Sequence, residues 1–246
     1  MNGEQLKTEW LCCDVSLCNK IRYVKDVAML KRKKMDPEEQ ERIKMVENQI
    51  MARGITNQYV LDAMREVPRH LFVSSIYRDT AYRDQPLPSW CGQTISQPYI
   101  VALMTELLDP KPTHKVLEIG TGTGYQTAIL AKLAGEVFTM EIFPELHERA
   151  KKKLEELGYQ HVHFILGNGF QGFPEAAPFD LIMVTAAAPF VPEALFEQLS
   201  KGGRMAIPVG RDYQELYLIT KDEQGSLTQK PILPVVFVPM QSENRL

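Results

Sequence analysis

A glycine-rich turn near the middle of the chain is the first feature that could bind a ligand. The run Val116-Leu-Glu-Ile119 predicts a buried strand that leads directly into Gly120-Thr-Gly-Thr-Gly124 and then into a helix. Ligands of open α/β sheets bind beyond the carboxyl ends of the strands, where glycines let backbone amides approach them closely. We therefore expect a cofactor to contact this turn through Gly120, Thr121, Gly122 and Gly124.

The residues around the turn indicate which nucleotide it fits. A dinucleotide fingerprint needs a small residue where Tyr125 stands, or where Thr127 stands in the later register. S-adenosyl-L-methionine carries an ammonium and a sulfonium, and acids beside the turn and about 20 residues further on suit its charges and its ribose hydroxyls. The predicted ligands are therefore Glu118 before the turn, Glu141 at the end of the second strand, and Asn168 and Gly169 where such enzymes hold the adenine.

A polar loop before this nucleotide fold carries the most specific motif of the chain, Gly92-Gln-Thr-Ile-Ser-Gln-Pro98. With this loop and the strand and turn at 116–125, the chain resembles the protein-L-isoaspartate (D-aspartate) O-methyltransferase family from about Asp36 to Met240. Further matching segments are Val67-Pro-Arg-His70, Ala177-Pro-Phe-Asp180, Val184-Thr-Ala-Ala187, Gly202-Gly-Arg204, Pro208-Val-Gly210 and Phe237-Val-Pro239.

The resemblance implies methyl transfer from S-adenosyl-L-methionine to the α-carboxyl of L-isoaspartyl and D-aspartyl residues in damaged proteins, leaving S-adenosyl-L-homocysteine. The ester would then close to a succinimide, whose hydrolysis partly restores normal aspartate. The resemblance also implies a Rossmann-like methyltransferase fold. It maps the family's active-site serine onto Ser96 and makes Gln93, Thr94 and Ile95 the substrate-binding residues of the same loop.

Elementary chemistry agrees with this role for Ser96. A carboxylate with a pKa near 4 is already ionised at neutral pH, so it needs no general base to become a nucleophile. It has only to be aligned with a cationic sulfonium in a dry site, which a hydroxyl at a helix N-terminus could achieve. Serine is also a common helix N-cap, and the residues alone leave both roles open.

Two departures from the family pattern keep alternatives open. Ser89-Trp90 stand where the family usually has Ile-Gly, which allows a methyltransferase of this fold with another acceptor. Asn168 stands where the family usually has aspartate, which allows a non-catalytic binding module. His161 and His163 alternate along one predicted strand without a nearby acid or cysteine, so we expect them to face solvent and expect no metal site.

The apolar pattern predicts the elements that position these groups. Strands are expected at 115–119, 136–141, 162–166, 180–184 and 204–209, with helices near 124–133, 144–157 and 191–199. This alternation predicts an α/β fold with a mostly parallel central sheet. Strands near 215–220 and 232–238 are too close for a crossover, so they predict a C-terminal antiparallel pair.

Helices are predicted before the sheet. Asp36 is a suitable N-cap for a first helix that ends at Gly54. A second helix is expected from about Asn57 to Glu66, and the segment 73–98 is expected to be a loop. A third helix follows, with Ile100, Val101, Met104, Leu107 and Leu108 as its buried stripe.

Composition excludes several classes of protein. The chain has 246 residues, 44% of them hydrophobic, and its net charge of −3 gives no electrostatic reason to bind nucleic acid or an anionic membrane. Four cysteines make no disulfide framework, and we expect a cytoplasmic monomer. Residues 1–34 are expected to be a poorly ordered, dispensable leader. Residues 35–246 are expected to be one methyltransferase domain, with a helical and substrate-loop part at 35–110 and a cofactor-binding sheet at 111–246.

Overall fold

The computed structural model describes residues 35–242, and their N-terminal part is helical, as predicted. Helix α1 spans Pro37–Met45 and continues through a π-helical turn, Val46–Ile50, and a 3-10 turn, Met51–Arg53. Gly54 ends this run with a left-handed φ of 94°, which confirms its predicted role. The expected leader at 1–34 lies outside the described residues.

Two further helices precede the sheet. Helix α2 spans Gln58–Glu66, and the Asn57 side chain caps it by accepting from the backbone N–H groups of Tyr59 and Val60. Helix α3 spans Pro98–Leu108. Of its predicted stripe, Val101, Met104 and Leu108 are buried, whereas Ile100 and Leu107 are partly buried.

The segment between α2 and α3 has more structure than a loop. It contains 3-10 turns at Arg69–Leu71, Ser75–Thr80 and Trp90–Gly92, and an antiparallel hairpin of β1, Leu87–Pro88, with β2, Thr94–Ile95. The prediction of a plain loop over 73–98 was therefore wrong. Strands of two residues are too short to show a periodic apolar pattern. This hairpin holds the backbone immediately before Ser96.

A seven-stranded sheet forms the rest of the fold, as the sequence predicts. Its spatial order is β5-β4-β3-β6-β7-β8-β9, parallel from β5 to β7 and antiparallel from β7 to β9. The strands are β3 Lys115–Ile119, β4 Glu136–Glu141, β5 Val162–Leu166, β6 Phe179–Val184, β7 Leu199–Val209, β8 Gln214–Lys221 and β9 Leu227–Val235. The helices between them are α4 Tyr125–Leu133, α5 Pro144–Glu156 and α6 Glu193–Gln198.

Strand β3 is central to the parallel part of the sheet because it pairs with β4 on one side and with β6 on the other. Leu117 of β3, Val137 of β4 and Ile182 of β6 are fully buried. Strands covered on both faces are rich in apolar residues, and the run Leu181-Ile-Met-Val184 of β6 is an example. Their parallel direction brings the ends of β3, β4 and β6 to the same edge of the sheet.

Candidate active site

A cavity lies at this edge, beside the ends of β3, β4 and β6. Its empty space, counted together with the open solvent at its mouth, is about 550 Å³. The strand ends and the turns after them contribute Gly120, Gly122, Glu141, Ile142, Phe143, Gly167, Gly169, Thr185 and Ala186. The substrate loop contributes Gln93 and Thr94.

The glycine turn is packed tightly against the end of β6. Gly120 has a φ of 97°, and a Cβ there would lie 2.4 Å from Thr185 Oγ1. That hydroxyl donates to the Gly120 carbonyl at 2.6 Å. Gly120 and Gly122 line the cavity, but the other two predicted turn ligands do not. Thr121 is buried, and Gly124 precedes α4 with a φ of 85°.

Glu141 lies in the cavity wall, where the sequence placed it. Its Oε1 accepts the backbone N–H groups of Ile142 at 2.8 Å and Phe143 at 3.0 Å. Its Oε2 accepts the N–H of Gly122 at 2.8 Å. A carboxylate offers about four acceptor positions, so these donors orient the group and leave capacity for a ligand hydroxyl.

Glu118 lies behind the turn, fully buried, and does not line the cavity. Its Oε2 accepts the hydroxyls of Thr127 at 2.5 Å and Thr139 at 2.6 Å, while its Oε1 has no partner among residues 35–242. Burial raises the pKa of Glu118 to about 7, although the two hydroxyls lower it. Glu118 can therefore act on a ligand in this cavity through its charge rather than by direct contact.

Asn168 follows β5 but is absent from the cavity wall, which its neighbours Gly167 and Gly169 help to form. Its Oδ1 accepts the backbone N–H of Phe170 at 3.0 Å and so caps the turn Gly169–Gln171. The backbone of this turn, rather than the Asn168 side chain, borders the cavity.

Ser96 lies in a second cavity, which adjoins the first at Thr94. Within residues 35–242 its hydroxyl has no hydrogen-bond partner. The N-cap of α3 is Gln97, so the interpretation of Ser96 as an N-cap was wrong. The other residues around this cavity include Arg53, Ile100, Asp212, Tyr213, Val236 and Phe237.

The predicted substrate-binding residues next to Ser96 have different positions. Gln93 lines the first cavity, and its Nε2 donates to the Cys91 carbonyl at 3.2 Å. Thr94 is exposed and lines both cavities. Ile95 is only 4% exposed, pairs with Leu87 and packs in the core, so its side chain does not reach either cavity. The expectation that Ile95 binds substrate remains a prediction, which this burial restricts to its backbone.

Trp90, the large departure from the family pattern, lies outside both cavities. Its ring packs under the Arg149 guanidinium of α5, with 4.6 Å between that group and the ring centroid. Arg149 Nε also donates to Glu145 at 3.0 Å. The ring thus fastens the start of the substrate loop to α5 instead of narrowing the site.

The segment after β9 completes the first cavity, and sequence reasoning assigned it no site residue. Val238, Pro239 and Met240 line the wall. The backbone N–H of Ala187 donates to Val238 at 2.9 Å, and that of Met240 donates to Ala187 at 2.8 Å. The matching segment Phe237-Val-Pro239 was the signal that could have revealed this wall.

Residues 35–242 contain no group of three or more His, Cys, Asp or Glu side chains that could hold a metal ion. His161 and His163 are both exposed, as expected, and contact the Ala131 carbonyl and Glu136. In the same part of the chain, no helix is long and apolar enough to cross a membrane.

Comparison with known proteins points to one family. A family model described as protein-L-isoaspartate(D-aspartate) O-methyltransferase matches residues 40–245. The chain is 56% identical over 191 residues to a protein-L-isoaspartate O-methyltransferase of Dictyoglomus turgidum, covering 77% of this chain and 86% of that protein. It is 50% identical over 209 residues to one of Picosynechococcus sp., covering 85% of this chain and 94% of that protein.

A solved structure gives the same result. A Plasmodium falciparum protein described as a protein-L-isoaspartate O-methyltransferase, in complex with S-adenosyl-L-homocysteine, superposes with a TM-score of 0.72. It is 27% identical in sequence, and the match covers 82% of this chain and 99% of that chain.

Proposed function

The chain belongs to the protein-L-isoaspartate(D-aspartate) O-methyltransferase family, and from this premise we propose that its two adjoining cavities form one active site. The reaction transfers a methyl group from S-adenosyl-L-methionine to the α-carboxyl of L-isoaspartyl and D-aspartyl residues in damaged proteins. It leaves S-adenosyl-L-homocysteine and begins repair, because the ester then closes to a succinimide.

The chemistry of the first cavity suits the methyl donor. Glu141 offers a fixed carboxylate for a ribose hydroxyl, and Gly120 and Gly122 leave room for a ligand beside the turn. Phe143 and the turn around Gly169 form the part of the wall we assign to the adenine. When bound there, the cofactor supplies an electrophilic methyl group on a sulfonium.

The second cavity provides what the acceptor needs. An isoaspartyl carboxylate is ionised at neutral pH, so the site needs a positioning donor rather than a base. The Ser96 hydroxyl is free to donate to one carboxylate oxygen, and Thr94 stands between it and the first cavity. Holding both reactants in line is then the main contribution of the protein to the rate.

Apolar groups form the remaining wall beside Thr94, where the two cavities meet. Ala186, Val238 and Pro239 line the first cavity and offer no side-chain group that could compete with the acceptor as a nucleophile. Their small apolar surface also favours exclusion of water, which strengthens the attraction between a carboxylate and a sulfonium.

The observation that carries this proposal is that Thr94 borders both cavities. The test compares a peptide containing one L-isoaspartyl residue with its twin containing normal aspartate. We expect methyl ester to form on the isoaspartyl peptide and not on the twin. Equal methylation of both peptides would indicate another acceptor, and an absence of both turnover and donor binding would indicate a non-catalytic module.

The proposal extends to the form of the protein in the cell. We propose a monomeric cytoplasmic enzyme whose single catalytic domain spans residues 35–246 and which binds neither nucleic acid nor membrane. The net charge of −3 supports the last point. Size-exclusion chromatography with light scattering tests the monomer, since a mass near twice 28.0 kDa would contradict it.

A further inference from the structure

A cluster of hydroxyls surrounds one buried carboxyl directly behind the glycine turn. Glu118 is fully buried, and Thr127 of α4 and Thr139 of β4 both donate to its Oε2. Thr139 Oγ1 is also 2.7 Å from Oγ1 of Thr121, which belongs to the turn itself. Three threonine hydroxyls thus connect Glu118 to the backbone that borders the cofactor cavity.

The second oxygen of this carboxyl is unusual because it is buried without a partner among residues 35–242. An ionised carboxylate normally needs donors on both oxygens when it is buried. The cluster supplies donors to one oxygen only, so it supports the charged form incompletely. The structure therefore holds a carboxyl that a modest change in nearby charge can ionise or neutralise.

The groups around Glu118 on each neighbouring element are almost all uncharged. Helix α4 presents Thr127, β4 presents Thr139, and the residue paired with Glu118 on β6 is Met183. The ionisable group that acts on it within residues 35–242 is Glu141, whose charge raises the pKa of Glu118 further. Burial is the larger cause, and together they bring that pKa to about 7.

The two ligands proposed for the cavity differ by one positive charge, and the cavity wall includes Gly120, two residues after Glu118. The methyl donor has an ammonium, a sulfonium and a carboxylate, whereas the product has lost the sulfonium charge with the methyl group. We propose that Glu118 is a specificity-determining residue, whose ionised form shifts the preference of the cavity toward the methyl donor and away from the product, whose thioether sulfur carries no charge. This inference rests on the proposed function, because it takes that donor and that product as the ligands.

Hydrogen bonds of the hydroxyl cluster connect the Glu118 carboxyl to the glycine turn. When Glu118 is ionised, Thr127 and Thr139 both donate to it, and Thr139 must then accept from Thr121. A proton on Oε2 weakens that oxygen as an acceptor and allows Thr139 to donate to Thr121 instead. The direction of hydrogen bonding beneath the turn can therefore change with the charge of Glu118.

Linkage fixes the sign of the effect. A bound cation favours the ionised carboxyl, so affinity for the donor rises as pH increases through the pKa of Glu118. Affinity for the product depends less on this carboxyl because the sulfonium charge is gone. The ratio of the two dissociation constants, product over donor, should therefore increase on the order of fivefold between about pH 6 and about pH 8.5.

The test measures both dissociation constants by calorimetry across this pH range, in wild type and in Glu118→Gln. The amide has the shape of the carboxyl but cannot ionise, so the pH dependence of the ratio should disappear. Titration of the ligands themselves is common to both proteins and cancels in the comparison. Thermal unfolding of the variant checks that it remains folded.

A second variant keeps the Glu118 carboxyl but changes the pH at which it is half ionised. The Thr127 hydroxyl lowers the pKa of Glu118, so Thr127→Val should shift the midpoint of the ratio to higher pH without removing the step. Carbon-13 NMR of glutamate-labelled, ligand-free protein offers a readout independent of binding. One carboxyl signal should titrate near neutral pH in wild type and be missing in Glu118→Gln.

The outcomes separate this inference from the proposed function. If wild type binds neither ligand at any pH, the cofactor assignment fails. If it binds both with a ratio that does not change with pH, or changes equally in Glu118→Gln, only the role of Glu118 fails. If Thr127→Val leaves the midpoint in place, the hydroxyl cluster does not control the carboxyl and the inference is overturned.

Discussion

The Oε2 atom of Glu141 accepts the backbone N–H of Gly122 at 2.8 Å. This contact joins the end of β4 to the glycine turn that follows β3, so two segments of the cavity wall share one hydrogen bond. Because the acceptor is ionised, the bond is of the stronger, charge-assisted kind. The position of the carboxylate and the shape of the turn are therefore coupled.

Glu141→Gln tests this coupling. The amide keeps the size of the side chain, but its NH₂ group would face a backbone donor at Gly122, or at Ile142 and Phe143. Loss of a charged hydrogen-bond acceptor costs roughly 1.5–3 kcal/mol, so the affinity for S-adenosyl-L-methionine should fall about 10- to 150-fold.

Calorimetric titration with S-adenosyl-L-methionine measures that loss of affinity. The matched control is Glu136→Gln, on the same strand but partly exposed and away from the cavity, which should bind as wild type does. Equal affinity in wild type and Glu141→Gln would show that Glu141 does not hold the ribose.

Ser96→Ala should lower turnover and leave cofactor affinity unchanged, because Ser96 borders the second cavity and not the first. A lost hydrogen bond to the charged acceptor corresponds to about 10- to 150-fold in rate. Initial rates of isoaspartyl peptide methylation and calorimetry with the donor separate the two effects. Ser75→Ala, at an exposed serine of the turn Ser75–Thr80, serves as the control. Full activity in Ser96→Ala would remove the positioning role.

The sequence predicted the parallel strands well because their signal is local. The apolar residues of β3, β4 and β5 and their alternation with helices predicted the bounds 115–119, 136–141 and 162–166, which the structure confirms. Glu141 was placed correctly for the same reason, since it ends one of these runs. A side chain at the carboxyl end of a buried parallel strand can be assigned to the ligand-binding edge without tertiary information.

Residues whose roles depend on distant partners could not be placed in this way. Ile95 turns into the core because β2 pairs with β1, and the turn that separates these two-residue strands has no helical or strand period. Val238 reaches the cavity through its hydrogen bond with Ala187. Ile95 lies in a segment without regular periodicity, and Val238 contacts a residue that is distant in sequence. In neither case does the local apolar pattern indicate the contact.

Asn168→Asp is expected to tighten donor binding about fivefold. The Asn168 side chain caps Phe170 and does not line the cavity, so the gain requires the second, charged oxygen of aspartate to turn toward the adenine while the first keeps the cap. A charge-assisted bond to the adenine amino group exceeds a neutral one by about 1 kcal/mol. Calorimetry on both proteins measures the change. A donor analogue without the adenine amino group should show no gain, and unchanged binding of the natural donor would mean that the side chain does not reach the adenine.

The buried position of Glu118 also predicts how the ligand-free protein responds to pH. Its pKa is raised from 4.5 to about 7, so between these values the folded protein holds a proton that the unfolded chain has lost. The free energy of unfolding must then fall as pH rises through this range, the opposite of the usual behaviour of a paired carboxylate. Glu118→Gln cannot lose a proton at this position, so its free energy of unfolding does not fall for this reason.

Relative to Glu118→Gln, the wild type should therefore lose about 2–3 kcal/mol of unfolding free energy between about pH 5 and about pH 8. Urea unfolding of both proteins at each pH gives this double difference. The contributions to the free energy of unfolding from titrating groups that the substitution does not affect cancel in it. Glu136→Gln, at a partly exposed carboxyl of β4, should show a much smaller difference against wild type. A double difference near zero for Glu118→Gln would mean that the carboxyl is ionised at both pH values, so the cluster of Thr127, Thr139 and Thr121 would stabilise its charge fully.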